Sequence, residues 1–125
     1  MDFDFTEEQQ MLKANVRNFL EKEIEPVVNE HEEKGPLTKV EAVGFIRKLL
    51  PFGFVSGFLS EKYGGSQLEA KTNGILVEEL ARVWGSLAGT VFIAAGFLWV
   101  LNEAGSPEQK ERLLPLGASG EYIGC

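Results

Sequence analysis

The sequence predicts an all-α domain, an irregular bundle of about five to six helices with one long non-helical loop. Three segments have the form of a capping box, in which a Ser or Thr side chain accepts a hydrogen bond from the third helical amide and a Glu or Gln there bonds back. Apolar residues after these boxes recur every three or four positions, which is the period of a helix. The boxes are Thr6–Gln9, Thr38–Glu41 and Ser106–Gln109.

The first helix follows Thr6. Pro26 lies inside its apolar pattern and has no N–H for a helical bond, so we expect the helix to bend or split near residues 22–25. Gly35 and Pro36 then end it. The apolar stripe on this segment is Leu12, Val16, Phe19, Leu20, Ile24 and Val27.

A second, shorter helix begins after Thr38 and ends at Pro51 and Gly53. Its expected stripe is Val40, Val43, Ile46, Leu49 and Leu50. The third helix has Leu76, Leu80 and Val83 on its apolar side, and its two adjacent glutamates, Glu78 and Glu79, are predicted to face solvent.

The fourth helix, residues 87–102, is apolar throughout and is predicted to be covered on all sides inside a soluble bundle. It belongs to an uncharged run, 83–101, that is just long enough to span a bilayer. We interpret Ser86 as a cap that divides this run, which disfavours a membrane span. A fifth, short helix follows Ser106 and carries Leu113 and Leu114.

Two stretches are not helical by pattern. Residues 54–59 are apolar with β-formers and glycine, and the following Tyr63-Gly64-Gly65 predicts a tight turn. Residues 121–125 have the character of an incoming strand that is cut before it can pair.

Composition excludes several classes of function. Twelve basic and nineteen acidic residues give a net charge of −7, which argues against a nucleic-acid partner. Cys125 is the only cysteine and His31 the only histidine, so neither a disulfide framework nor a zinc site is expected. The single thiol suits a reducing compartment.

The ionisable residues do not form a convincing catalytic or metal site. We interpret the acidic cluster as a solvated face and His31 as a surface residue. Glu78 and Glu79 are adjacent on a helix and point about 100° apart, so they do not converge as catalytic carboxylates would. The acidic cluster comprises Glu21, Glu23, Glu25, Glu30, Glu32 and Glu33.

Six motifs occur in an order and spacing that resemble the N-terminal helical domain of the acyl-CoA dehydrogenases, and the resemblance covers essentially residues 1–125. They are Asp4-Phe5-Thr6-Glu7-Glu8-Gln9, Val16-Arg17-Asn18-Phe19, Tyr63-Gly64-Gly65, Val77-Glu78-Glu79-Leu80-Ala81-Arg82, Gly105-Ser106-Pro107-Glu108-Gln109-Lys110 and Ser119-Gly120-Glu121-Tyr122-Ile123-Gly124.

The resemblance implies that this chain is one domain of a longer FAD enzyme that α,β-dehydrogenates acyl-CoA thioesters. The family's β-barrel and C-terminal helical domains are absent from the 125 residues, so no catalytic, flavin-binding or metal-binding residue is assigned here. The partners it implies are acyl-CoA, the remaining domains, a homotetramer or homodimer, and electron-transfer flavoprotein as acceptor. We expect no nucleic acid and no membrane span, and a cytoplasmic location, or the mitochondrial matrix if a transit peptide has been removed.

By resemblance, the fourth helix supplies one wall of the acyl pocket through Ala88, Phe92, Ala95 and Gly96. Ala88 stands where relatives that take dicarboxylic acyl groups have a cation, which disfavours a glutaryl-like substrate. The bulk of Phe92 favours a short, branched or cyclic acyl group. The alternative hypothesis is a stand-alone helical interaction module without enzymatic activity.

Overall fold

A computed structural model describes residues 3–124 and contains six α-helices in that range, with no strand among them. The all-α prediction is therefore confirmed. The helices are α1 (Glu7–Glu23), α2 (Glu25–Lys34), α3 (Lys39–Leu49), α4 (Ala70–Val83), α5 (Gly85–Ala104) and α6 (Pro107–Ala118). The long loop 50–69 contains two single 3₁₀ turns, Leu50–Phe52 and Glu61–Tyr63.

All three capping boxes form. At the start of α1, the amide of Gln9 donates to Thr6 Oγ1 at 3.1 Å, and the amide of Thr6 donates to Gln9 Oε1 at 3.0 Å. The boxes that begin α3 and α6 are closed in both directions in the same way. Two orphan amides are thereby satisfied at each helix start.

Pro26 splits the first helical segment, as predicted. Helix α1 ends at Glu23, α2 begins at Glu25, and Pro26 lies in the first turn of α2, where its missing N–H costs no helical bond. Ile24 at the break is fully buried and anchors the junction in the core. Gly35, with φ of +100°, ends α2.

The bundle is organised around α4. Helix α1 packs on one side of it and α5 on the other, α6 packs on α5, α2 packs on α1, and α3 contacts α5 and the start of the loop. Each of the five helices other than α2 contributes at least one fully or nearly fully buried side chain. These include Val16, Leu20, Ile46, Leu49, Leu76, Leu80, Leu87, Leu98 and Leu114.

The predicted turn at residues 63–65 requires its two glycines for different reasons. Gly64 has φ of +90°, a left-handed conformation that disfavours a side chain. At Gly65 the backbone passes so close to Leu59 that a Cβ would overlap the Leu59 carbonyl oxygen. Residues 54–59, which precede this turn, pack into the core. Phe54, Val55 and Leu59 are buried there, and the segment does not form a strand.

Two local expectations are wrong. Val40 is 83% exposed, because the first turn of α3 extends beyond the elements that cover the helix, and Phe45 is buried instead, edge-on to Trp84. Residues 121–124 are not a strand, since no neighbouring strand pairs with them within residues 3–124. The amides of Glu121 and Tyr122 donate instead to the carbonyl of Leu116. Cys125 lies outside the described residues.

Helix α5 also differs from the prediction. The chain breaks at Trp84, which has extended backbone angles, and Ser86 is no cap because its hydroxyl donates to Glu32. In the most apolar stretch of α5, whose mean hydropathy is 1.6, only 28% of the residues are buried. The expectation that this helix is covered on all sides is therefore wrong within this chain. Among residues 3–124, α5 is the one helix long and apolar enough to cross a membrane, a property shared by core helices of soluble proteins.

Candidate functional site

The structure has a groove of about 700 Å³ between α4, α5 and the loop that precedes α4. This volume is within the range of small-molecule sites, roughly 300–1,000 Å³. The lining is mainly apolar and aromatic. We call this the α4–α5 groove, and its lining comprises Phe54, Phe58, Leu68, Ala70, Asn73, Gly74, Val77, Val91, Phe92, Ala95, Gly96, Trp99, Asn102 and Glu103.

Small residues make the groove deep where the two helices face each other. A Cβ added at Gly74 of α4 or at Gly96 of α5 would meet no atom within 4 Å beyond its immediate surroundings, so both glycines leave open space. Ala95 adds only one methyl group beside Gly96. Phe92 and Trp99 stand on either side of this small-residue floor and are 66% and 57% exposed.

The groove contains three of the four residues that the sequence predicts for substrate binding. Phe92, Ala95 and Gly96 line it together. Ala88 does not line the groove, because it lies in the hydrophobic core and is 7% exposed. Trp99 was missed by sequence reasoning, although it lies seven residues after Phe92 and therefore shares its side of the helix.

Polar groups occupy only part of the groove's lining. They belong to Asn73 on α4 and to Asn102 and Glu103 near the end of α5, where the Asn102 amide donates to Glu103 Oε1 at 3.2 Å. No lining residue is a serine, cysteine, histidine or lysine. The groove can therefore bind an apolar group, and Glu103 is the one ionisable side chain among its lining residues.

Glu79 is the most unexpected ionisable residue. Its side chain is 1% exposed, so the prediction that it faces solvent is wrong, and it sits against α1. Arg17 Nε and Nη2 donate to its two oxygens at 2.9 and 2.8 Å, a bidentate pair. Lys13 Nζ lies 3.7 Å and Arg82 Nε 3.5 Å from the same carboxylate.

The surroundings of Glu79 make it a structural anion. The hydrogen bond from Arg17 is the largest cause that lowers the pKa of Glu79, with further lowering by the charges of Arg17, Arg82 and Lys13 against the opposing effect of burial. A carboxylate held charged by three cations is a poor general base. Glu79 therefore joins α1 to α4 and does not serve the α4–α5 groove.

A second missed cluster fixes the start of α5. Glu32 Oε1 accepts from Trp84 Nε1 at 2.5 Å and from Ser86 Oγ at 2.9 Å, and these two hydrogen bonds lower the pKa of Glu32. His31 is not the surface residue predicted from sequence. Its side chain is 18% exposed and its ring lies edge-on to Phe45, 5.2 Å away.

The remaining acidic residues behave as expected of a solvated face. Glu21, Glu23, Glu25, Glu30 and Glu33 are exposed, and no group of three or more potential metal ligands occurs within the described part of the chain.

Comparison with known proteins places this arrangement in a family. Residues 6–121 match the family model for the acyl-CoA dehydrogenase, N-terminal domain. The short-chain specific acyl-CoA dehydrogenase of Clostridium acetobutylicum is 34% identical over 129 aligned residues, which cover all of this chain and 32% of the relative. The glutaryl-CoA dehydrogenase of Desulfococcus multivorans is 32% identical over 99% of this chain and 32% of its own length.

Comparison with solved structures supports the same family. The butyryl-CoA dehydrogenase of Megasphaera elsdenii matches 98% of this chain and 32% of its own, at a TM-score of 0.82 and 29% identity. The fold and groove define an all-α domain with an apolar groove between α4 and α5. The chain belongs to the acyl-CoA dehydrogenase family and corresponds to its N-terminal domain. It spans about a third of the length of the relatives it matches.

Proposed function

We propose that this chain is the N-terminal domain of an FAD-dependent acyl-CoA dehydrogenase and supplies one wall of its acyl pocket. The observation that carries this proposal is the α4–α5 groove, an apolar channel with a small-residue floor in a domain of this family. An acyl tail gains about 0.8 kcal/mol for each methylene it buries in such a channel.

FAD would supply the oxidising power for the α,β-dehydrogenation of the acyl thioester. The described residues of this chain do not fit the cofactor's phosphates. The chain carries a net charge of −7, and the groove lining contains no basic side chain. We therefore assign FAD binding and the catalytic base to sequence beyond these 125 residues, and we expect the isolated chain to be inactive.

The groove is proposed to restrict the acyl group. Phe92 projects beside the small-residue floor, so it limits how far a chain can extend along α5. The groove lining contains no cationic side chain, and Ala88 lies in the core outside it, so a dicarboxylic substrate is disfavoured. A short, branched or cyclic acyl group remains the proposed class.

The wider setting is proposed from the family. We infer a homotetramer or homodimer, electron-transfer flavoprotein as the acceptor, and a cytoplasmic location, or the mitochondrial matrix if a transit peptide has been removed. The exposed apolar residues of α5 outside the groove, Ile93 and Val100, support burial against the remaining domains. Size-exclusion chromatography with light scattering on the protein expressed with any coding sequence that follows residue 125 tests the oligomeric state.

The function is tested with the same longer protein. We expect it to purify with flavin absorbance that is bleached by a saturated acyl-CoA, whereas the 125-residue chain alone binds no flavin. Phe92→Ala should shift the preference in kcat/KM towards longer acyl-CoAs by roughly tenfold for two added carbons. An absence of flavin bleaching by every acyl-CoA would support the interaction module instead, and an unchanged chain-length profile would remove Phe92 from the pocket.

A further inference from the structure

The side of α5 that lines the α4–α5 groove has two aromatic residues separated by a gap. Phe92 and Trp99 are seven residues apart, so their Cα atoms lie about 10 Å apart along the helix axis, at about 1.5 Å per residue. Helical side chains lean the same way, towards the N-terminus, which preserves this separation. Between them on the same side are Ala95 and Gly96, which fill little of the gap.

Both rings are available to a ligand. Phe92 is 66% and Trp99 57% exposed, and neither takes part in a ring–ring contact within residues 3–124. Phe58, from the preceding loop, adds a third aromatic side chain to the lining. Aromatic rings prefer offset-stacked or edge-to-face contacts with centroids about 4.5–7 Å apart.

This spacing suits one intervening ring. A ring placed between two aromatic side chains, with a favourable contact on each side, requires a separation of about 9–14 Å between their centroids, and the Cα atoms that carry the two rings lie about 10 Å apart along α5. A saturated chain could lie in the same gap but would gain only the burial of its surface. The geometry thus distinguishes an aryl group from an aliphatic one of equal size.

We propose that the acyl group bound in the α4–α5 groove ends in an aromatic ring, held between Phe92 and Trp99 over the floor formed by Ala95 and Gly96. This proposal rests on the proposed function, because it names the substrate class of the same groove. Phe92 thereby has two effects, since it bounds the depth of the pocket and offers a ring face to the end of the substrate.

A matched pair of thioesters tests the proposal. The 3-phenylpropanoyl and 3-cyclohexylpropanoyl thioesters have the same number of carbon atoms and differ in the planarity of the ring. In the flavin-loaded longer protein we expect kcat/KM to favour the phenyl compound by about threefold to tenfold, the range that an aromatic contact provides beyond burial. Phe92→Leu and Trp99→Leu should each lower this ratio relative to the wild type. The phenyl compound's benzylic β carbon is intrinsically easier to oxidise in all three proteins, so the change in the ratio, and not its absolute value, reports the ring contacts.

Ile93→Leu is the control variant. Ile93 is on α5 and 57% exposed but does not line the groove, so the phenyl-to-cyclohexyl ratio should not change. A wild-type protein that prefers the cyclohexyl compound would overturn the proposal, as would a ratio that survives in both leucine variants.

A second readout does not depend on turnover. The chain has two tryptophans, and Trp84 is buried with its indole N–H donated to Glu32, whereas Trp99 lines the groove. Millimolar 3-phenylpropanoyl-pantetheine should therefore shift the NMR signal of the Trp99 indole N–H in this chain and leave that of Trp84 in place, with Trp99→Phe assigning the two signals.

The two readouts separate the two possible failures. A Trp99 signal that shifts more with the phenyl than with the cyclohexyl thioester supports a site for an aromatic ring between Phe92 and Trp99. If the longer protein nevertheless oxidises no acyl-CoA, only the proposed function is refuted. Equal shifts of the Trp99 signal with the two compounds, or no shift with either, overturn the site for an aromatic ring between Phe92 and Trp99. The dehydrogenase proposal is then tested separately by flavin bleaching.

Discussion

Helices α4 and α5 are neighbours in the bundle, yet each contradicts the simplest expectation for its composition. Helix α4 is amphipathic and buries a glutamate, whereas α5 is apolar and exposes a tryptophan. Glu79 is 1% exposed and Trp99 is 57% exposed. The comparison shows that the elements packed against a helix decide which of its residues are buried, and that hydrophobicity alone does not.

The reason lies in the neighbours of each helix. The side of α4 that carries Glu79 faces α1, where Arg17 and Lys13 provide cations, so the carboxylate is compensated where it is buried. Helix α5 is covered by α4 and α6 on one side, where Leu87, Val91 and Leu98 are buried. The rest of its surface is largely open, and part of it lines the groove.

The largest expected difference between the two helices comes from truncating an apolar side chain on each. Leu80→Ala on α4 should lower the free energy of unfolding by about 2–5 kcal/mol, because Leu80 is 1% exposed and leaves a cavity. Ile93→Ala on α5 should change it by less than about 0.5 kcal/mol, because its side chain is mostly in solvent. Urea denaturation measures both. Equal shifts would show that the open side of α5 is covered in solution.

Replacing the buried one of two adjacent glutamates on α4 should give the next largest effect on the free energy of unfolding. Glu79→Gln keeps the shape of the side chain but removes the charge that binds Arg17, which should cost about 1.5–3 kcal/mol, as for hydrogen bonds to charged groups. Glu78→Gln is the matched control, because Glu78 is adjacent but exposed, and should cost less than about 0.5 kcal/mol. Indistinguishable denaturation midpoints would refute the structural role of Glu79.

The same carboxylate predicts how stability depends on pH. The pKa of Glu79 in the folded chain lies below its ordinary value of 4.5, chiefly because of the hydrogen bond from Arg17. Its contribution is therefore complete above the ordinary value and is lost as pH falls through the folded-state pKa. The wild type should lose stability more steeply than Glu79→Gln as pH falls below about 4.5. Parallel curves would contradict this assignment.

The elements that local chemistry determines could be predicted from the sequence. Capping boxes form within four residues, and Pro26 acts on its own helix, so these helix starts and the α1–α2 break are confirmed. The family resemblance is confirmed as well. What failed depended on contacts distant in sequence, since the cover over Val40 and over α5 is set by other elements.

A usable signal for Glu79 was nevertheless present. Glu79 lies three residues after Leu76 and four before Val83, so it shares the apolar stripe of α4. Lys13 and Arg17 precede Leu20 at helical spacing on α1 in the same way. An acidic residue on the apolar stripe of one helix and basic residues beside the stripe of another predict an interhelical ion pair. A count of apolar residues alone does not reveal it. Trp99 had a comparable signal in its spacing from Phe92.

Arg82 provides the smallest expected effect and the sharpest test of what burial contributes. Its Nη2 lies 3.1 Å from Glu21 Oε1 on α1, while its Nε lies 3.5 Å from Glu79 Oε2, so distance alone would rank Glu21 as the stronger partner. The Arg82 and Glu21 side chains are 42% and 46% exposed, however, and water screens their attraction while both lose rotamer freedom. Glu21→Ala should therefore cost less than about 0.5 kcal/mol, well below the effect of Glu79→Gln. Raising the salt concentration should shrink the Glu21 effect further and change the Glu79 effect less, because partly buried pairs are screened less than exposed ones. Urea midpoints for both variants at low and high salt measure this. A Glu21→Ala effect as large as that of Glu79→Gln would mean that burial adds nothing to the strength of these ion pairs.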